Sequence, residues 1–266
     1  MERTGILAHP EIGIGEGPLE RFAALLERRT AGEPVAYIRG VKEFYGLAVG
    51  VDARALIPRP ETETLVELGL AHVRAALTDA PRAAGARPFR VLDVGTGSGA
   101  VVVALARTLG RAGYGGSVRF TASDRSEGAV SLAIENAVAH GVADLIDFRV
   151  ADLLAPAIEV DGPVDLVVGN LPYVPTADLP RLPVAASFEP REALDGGPDG
   201  LQVVRGLLAG LSRVLAASGA ALLEIGSDQA IAALAAAGEL LPGWRAGLYP
   251  DLSGRPRVLS VARATS

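Results

Sequence analysis

VLDVGTGSGAVVVALA, Val91–Ala106, is the stretch whose reading decides the fold. An apolar run rich in β-branched residues breaks at Gly95, Gly97 and Gly99, then resumes as a longer apolar segment. The first run, Phe89–Val94, has the length and composition of a buried strand, and Gly99–Leu109 has those of a helix. Glycines between them let the backbone turn tightly and approach a ligand closely, and the helix N-terminus offers unpaired N–H groups. In a doubly wound sheet, that crevice beyond the strand's carboxyl end is where ligands bind. The loop alone does not name the ligand, because Gly95-x-Gly97-x-x-Ala100 also satisfies the dinucleotide pattern.

Strands and helices alternate outward from this loop. Ser117–Ser123, Leu145–Val150, Val164–Val168 and Ala220–Ile225 read as strands, and Glu127–His140, Leu201–Ala217 and Asp228–Ala237 as helices. Apolar strands separated by helices predict a mostly parallel sheet covered on both faces. Trp244–Tyr249 and Arg257–Ala262 follow as two strands with no helix between them, which predicts an antiparallel hairpin closing the sheet. Upstream, Pro18–Thr30 and Glu61–Leu77 have helical spacing, and Val35–Pro58 reads as short strands or a hairpin. Residues 1–17 read as poorly ordered, and Thr78–Pro88 as a linker dividing an N-terminal segment, 1–80, from a catalytic domain, 81–266.

Three strand ends carry polar residues to one edge. Asp124 closes the second strand, where a carboxylate accepts two hydrogen bonds from a ribose diol. Asp152 closes the third and offers an acceptor to an adenine amino group, although an Asp there also suits a turn. The fourth strand ends in GNLPYVP, Gly169–Pro175. The Asn170 side-chain carbonyl and the Leu171 backbone carbonyl are two acceptors, Pro172 keeps Leu171 extended, and Tyr173 brings a flat ring. Two acceptors and a stacking face suit a planar –NH2 on an sp2 carbon, such as a glutamine amide or adenine N6. Such a nitrogen is a poor nucleophile, so catalysis would rest on aligning it with a sulfonium methyl and stabilising the positive charge it develops. A hydride-transfer enzyme has no use for this tetrapeptide, and the combination favours S-adenosylmethionine over a nicotinamide.

Composition narrows the field further. The net charge of −6 and the lack of a Lys/Arg block disfavour direct nucleic-acid binding. The chain has no cysteine, which excludes thiolate nucleophiles and cysteine-ligated zinc. His9, His72 and His140 are scattered without ligand spacing and read as surface residues. Neither a signal peptide nor a run long enough to span a membrane is legible, so a cytoplasmic, monomeric protein is expected.

The chain resembles the N5-glutamine methyltransferases of the release-factor-modifying (PrmC/HemK) type. The likeness rests on RRTAGEPVAYIRGVKEFYG (Arg28–Gly46), LIPRPETETLVE (Leu56–Glu67), the glycine loop, GNLPYVP, FEPREALDGGPDGL (Phe188–Leu201), LLEIGSDQ (Leu223–Gln229) and DLSGRPRVL (Asp251–Leu259). It implies a class I, Rossmann-like α/β fold with S-adenosylmethionine as methyl donor. The cofactor contacts it implies are Gly95, Thr96, Gly97, Ser98 and Gly99, Asp124, Asp152 and Leu153, with Asn170 on the cofactor side as well. The clamp on the acceptor is Asn170, Leu171, Pro172 and Tyr173. The acceptor it implies is the glutamine of the Gly-Gly-Gln loop of a peptide chain release factor. A ribosomal-protein glutamine or an adenine N6 are the other acceptors open to this chemistry.

Two departures from the family stand out. Leu171 replaces the first proline of Asn-Pro-Pro-Tyr while keeping the backbone carbonyl. Of the family's N-terminal helical domain, which helps dock the release factor, Pro18–Thr30 is the recognisable part. FEPREALDGGPDGL is a Pro- and Gly-rich stretch placed to face the acceptor, although Glu189 and Arg191 also read as solvated loop residues. Arg59 and Glu61 of IPRPETE are candidates for the rim of the site or for a plain helix start.

Overall fold

The computed structural model of the protein describes residues 15–79, 87–155 and 162–264, together with residues 8, 9 and 13. The expected linker therefore lies mostly outside the described residues, as does most of the lead before residue 15.

Helix α1 (Glu16–Thr30) and a short α2 (Val35–Arg39) lead into a hairpin of β1 (Val41–Phe44) and β2 (Leu47–Gly50). Val35–Arg39 was expected to be extended. It is helical because Pro34 opens the turn from the extended region and Gly40 closes it in the left-handed one, which are the two ends a short helix needs. A 3-10 turn at Pro60–Thr62 then starts α3 (Glu63–Asp79), whose first turn is acidic.

The central sheet contains β3 (Phe89–Val94), β4 (Val118–Asp124), β5 (Ile146–Val150), β6 (Val164–Gly169), β7 (Leu215–Glu224), β8 (Trp244–Pro250) and β9 (Pro256–Arg263), in the order β5-β4-β3-β6-β7-β9-β8. The five strands from β5 to β7 pair in parallel, and β9 pairs antiparallel with both β7 and β8. Among the described residues the helices between these strands are α4 (Ala100–Arg111), α5 (Glu127–Ala139), α6 (Gln202–Val214) and α7 (Ala230–Leu240). The helix expected to run to Ala217 stops at Val214, because the chain turns extended at Leu215 and β7 already pairs there with Val164.

Strand order runs one way from β3 through β4 to β5 and the other way from β6 to β7. The loops after β3 and β6 therefore leave in opposite directions and open a crevice between them. Val94 pairs with Gly169, so Gly95 and Asn170 emerge side by side at its mouth. The core lies on both faces of the sheet. Leu65, Val66, Leu70 and Val73 of α3 share one buried cluster with Phe44, Val49 and Ile57 and with Val102, Val103 and Leu105 of α4. The segment before the linker and the sheet after it thus bury their apolar surface together. Leu207, Leu208 and Leu211 of α6 fill the other face against Val167, Leu223 and Leu259.

Two histidines depart from the surface positions expected for them. His72 is partly buried with its ring edge-on to Phe89, and burial lowers its pKa. The His140 ring lies 3.0 Å from the Ala48 carbonyl. Among the described residues no cluster of acidic and histidine side chains could hold a metal ion, and no helix is long and apolar enough to cross a membrane.

Candidate active site

The glycine loop is built on a buried acid. Asp93, one residue before the end of β3, is 1% exposed and accepts from the Thr96 hydroxyl at 2.7 Å. Burial pushes its pKa up to about 7. The loop is tied to the next strand as well: Thr96 N donates to the Ser123 carbonyl at 2.9 Å and Gly97 N to Asp124 Oδ2 at 3.0 Å. Gly99 ends it with φ 78°, and a Cβ there would lie 3.0 Å from Cβ of Ala133 on α5. Only glycine lets α4 start this close to α5. Asn136 of α5 completes the frame. Its amide donates to the Ser98 carbonyl at 2.8 Å and accepts from Gly50 N at 2.7 Å, joining the loop to the β1–β2 hairpin.

The loop opens on a cleft at the mouth of the β3–β6 crevice. Gly95, Thr96, Gly97 and Ser98 line it, with Asp124, Asp152, Leu153, Asn170, Leu171 and Pro172. Gly99 lies behind the loop at the start of α4, where it permits helix packing. Asp124 accepts from the amides of Gly97 and Ser126, and burial raises its pKa. Each carboxylate oxygen keeps a second lone pair for a ligand hydroxyl. Asp152 is exposed at the rim, and Leu153 beside it holds φ 44°, a left-handed conformation uncommon for a leucine. A buried carboxylate beside a glycine loop at the end of a parallel strand is a set of groups that suits a nucleoside cofactor.

Asn170 stands at the inner edge of the cleft. Its Nδ2 donates to the buried Thr62 hydroxyl at 3.1 Å, which leaves Oδ1 as the atom available to an acceptor group. The Leu171 side chain is 3% exposed in the apolar cluster of α6 and β7. It anchors the loop by packing where the family's proline would do so by ring geometry. Tyr173 departs from the position expected of it. It does not line the cleft, and its hydroxyl donates to Glu224 Oε1 at 3.3 Å. Burial and the neighbouring Glu224 push its pKa up to about 12, so the phenol keeps its proton.

Glu224 is fully buried at the end of β7, and burial pushes its pKa up to about 7. Arg257, held by Asp251 at 3.2 Å, favours its charged form from the β9 side. The FEPRE segment also differs from expectation. Glu189 is no solvated residue: its side chain is 2% exposed, pairs with Arg59 at 2.6 Å and accepts from Ile57 N at 3.1 Å. Arg191 remains exposed. Pro190, Glu192, Ala193 and Asp195 line the cleft, whereas the glycines after them pack under Tyr173. A Cβ on Gly200 would fall 2.3 Å from the Tyr173 carbonyl oxygen, and φ there is 76°. Glu61 is exposed at the 3-10 turn.

Comparison with known proteins agrees with this geometry. Residues 1–40 match the PrmC N-terminal domain, so the match includes the lead before α1, and residues 91–185 match a methyltransferase domain. The chain is 38% identical over 263 residues to the release factor glutamine methyltransferase of Moorella thermoacetica, covering 99% of this chain and 87% of that one. It is also 38% identical over 264 residues to that of Deinococcus radiodurans, with the same shares covered. The chain belongs to the release factor glutamine methyltransferase family. The fold recurs in the ribosomal protein L11 methylase of Lactobacillus delbrueckii subsp. bulgaricus, at TM-score 0.54 and 23% identity over 82% of this chain and 86% of that one.

For a member of this family, Asp93, Asn136, Thr62 and Glu224 are the supporting residues that motif reading passed over, and Glu189 is one it left open as a solvated loop residue. Asp93 and Glu224 do carry a signal. Each is a lone acid inside an otherwise apolar strand, VLDV and LLEI, and such acids persist only where something uses or neutralises them. Thr62, Asn136 and Glu189 carry none, because their partners lie 108, 86 and 130 residues away in sequence.

Proposed function

We propose that the protein transfers a methyl group from S-adenosylmethionine to the side-chain amide nitrogen of a glutamine, the one in the Gly-Gly-Gln loop of a peptide chain release factor. The observation that carries this reading is the placement of Asn170 and Leu171 beside Gly95, across the β3–β6 crevice. An amide acceptor and a nucleoside site then share one cleft. The cofactor supplies an electrophilic methyl on a sulfonium. The chain supplies the rest.

The glycine loop, through its close backbone approach, and the Asp124 carboxylate would hold the nucleoside, with Asp152 and Leu153 beside the nucleobase. Asn170 Oδ1 and the Leu171 carbonyl would each accept one N–H of the glutamine amide. That pair points the nitrogen lone pair away from the acceptors and toward the methyl, and offsets the charge that grows on nitrogen. As the N–C bond forms the S–C bond breaks, and the nitrogen gives up one proton to solvent. No basic group has to remove that proton first, since the cationic nitrogen formed by transfer is strongly acidic.

The test is methyl transfer from labelled S-adenosylmethionine to a purified unmodified release factor, beside one whose loop glutamine is replaced by alanine. Label on the first and none on the second is the expected result. Label on both would move the acceptor elsewhere, and label on neither would remove the release factor as substrate.

A further inference from the structure

We propose that Gln229 is a positioning residue for methyl transfer, pinning the Tyr173 carbonyl and through it the direction in which the Leu171 carbonyl meets the acceptor. The inference deepens the reading above and rests on it. A carbonyl accepts well only near its lone-pair directions, so a clamp that uses a backbone carbonyl needs its peptide planes held. At the near end the sheet holds the chain, where Gly169 pairs with Val94 and with Leu223. Asn170, Leu171 and Pro172 then run outside any strand. The Pro172 ring fixes one dihedral, and the Leu171 side chain is buried. The remaining freedom is rotation of the peptide planes, and that stops when the far end is held too.

Gln229 supplies that hold. Its Nε2 donates to the Tyr173 carbonyl at 2.8 Å, and its Oε1 accepts from Gly226 N at 2.8 Å. A backbone N–H can only donate and a backbone carbonyl can only accept, so the two partners decide which way round the amide lies. Gln229 is buried, which keeps water from competing for either bond. Its own backbone is set at the start of α7: Gln229 N donates to the Gly226 carbonyl at 3.0 Å, and the Gln229 carbonyl accepts from Ala233 N at 2.8 Å. Two glycines leave room for the contact. A Cβ on Gly200 would run into both the Tyr173 carbonyl oxygen and Gln229 Nε2, and a Cβ on Gly226 would lie 3.0 Å from Gln229 Oε1. The anchor continues at the next residue, where Val174 bonds through its N–H to the Leu194 carbonyl and through its carbonyl to Gly196 N.

This assigns a task to two segments that cofactor binding leaves unexplained. LLEIGSDQ ends β7 and delivers Gln229 to the start of α7. DGGPDG, Asp195–Gly200, wraps the chain just past the clamp without a side chain in the way. The sheet holds Gly169, Gln229 holds Tyr173, and the acceptor's two carbonyl partners lie on the three residues between.

The experiment compares Gln229→Met, which keeps the length and deletes both hydrogen bonds, with Gln229→Glu, which keeps the acceptor for Gly226 N and regains the donor toward Tyr173 only when its carboxyl is protonated. The readouts are kcat and KM with unmodified release factor, S-adenosylmethionine affinity by calorimetry, and Tm at each pH. The methionine variant is expected to lose about 10- to 10²-fold in kcat, the scale of a misplaced reacting group, with cofactor affinity unchanged. The glutamate variant is expected to match it at alkaline pH and to climb back toward wild type as pH is lowered. Asp199, Tyr173, Glu224, Asp228 and Arg257, the charged and titratable groups bonded to this contact or next to it along the chain, are common to both proteins. The ratio of variant to wild type at each pH therefore isolates the new carboxyl. If methionine turns over like wild type, the inference is wrong. If the glutamate ratio does not rise on acidification, or cofactor affinity falls along with kcat, Gln229 is a packing residue and the inference is again wrong. Should methionine fail to fold, the glutamate ratio answers the question by itself. A wild-type protein that methylates no release factor would sink the parent reading and this inference with it, a result visible before any variant is made.

Discussion

In the proposed reaction Asn170 does one thing, accepting a hydrogen bond that strengthens as charge develops on the glutamine nitrogen. Deleting its amide should therefore remove transition-state stabilisation and leave the nucleoside pocket intact. Asn170→Ala is expected to keep S-adenosylmethionine affinity within a few-fold and to lower kcat by about 10²–10³, the usual cost of one such group. Calorimetry and single-turnover transfer on the same preparation check both halves. Asp124 should show the opposite division. It braces the Gly97 and Ser126 amides and lines the cleft beside the glycine loop, so on the proposed reading Asp124→Ala is expected to weaken cofactor binding well before it alters turnover at saturation. Titration of the cofactor into that variant reads the effect directly.

The loop after β6 is held by two other segments. Val174 N donates to the Leu194 carbonyl at 3.0 Å and its carbonyl accepts from Gly196 N at 2.8 Å, and Gln229 Nε2 donates to the Tyr173 carbonyl at 2.8 Å. Gly200 sits where a methyl group would strike that carbonyl. Gly200→Ala is expected to cost about 1–3 kcal/mol from the strained φ and the clash, seen as a lower denaturant midpoint, and to reduce transfer by displacing the clamp. On the other rim, Glu189 joins the segment after Leu56 to the loop before Pro190 through Arg59 and Ile57 N. Arg59→Ala leaves a buried carboxylate with only the Ile57 amide, and a loss of about 1–3 kcal/mol is expected, with most of it recovered by adding Glu189→Gln.

Buried acids make the whole molecule respond to pH in an unusual direction. In the folded chain Asp93 and Glu224 hold their protons up to about 7, against 3.8 and 4.5 when solvated. Between those limits the folded state binds more protons than the unfolded one, so stability falls as pH rises. From these two acids Tm is expected to drop as pH is raised from about 5 to 7 and to level off above, and Asp93→Asn should flatten that slope in a calorimetric scan. His72 works the other way below its ordinary 6.5, since burial lowers its pKa and the unfolded chain then takes the proton more readily. Helix α1 buries none of its residues, and Leu19, Phe22 and Leu26 are each more than half exposed. A face of that kind suits a protein substrate. Phe22→Ser is expected to raise KM for release factor several-fold while kcat and Tm hold, measured by steady-state transfer.

Local pattern determined the elements and the cofactor end of the cleft. A strand, a glycine loop and a helix are encoded within the sixteen residues of Val91–Ala106, and the acids at the ends of β4 and β5 announce themselves by position. The order of hydrophobic runs likewise implied a parallel sheet with an antiparallel close. Tertiary structure alone decided what stands behind Asn170. Thr62 reaches it from a turn 108 residues away in sequence, and no periodicity records which side chains a reversal of strand order will bring together. The same holds for Tyr173, whose ring the tetrapeptide suggested would face a ligand and whose hydroxyl is instead held by Glu224, 51 residues further on. Hydrophobic periodicity reports which face of an element is buried. Polar partners are chosen by packing, because a buried donor or acceptor must be paired with whatever the fold places beside it.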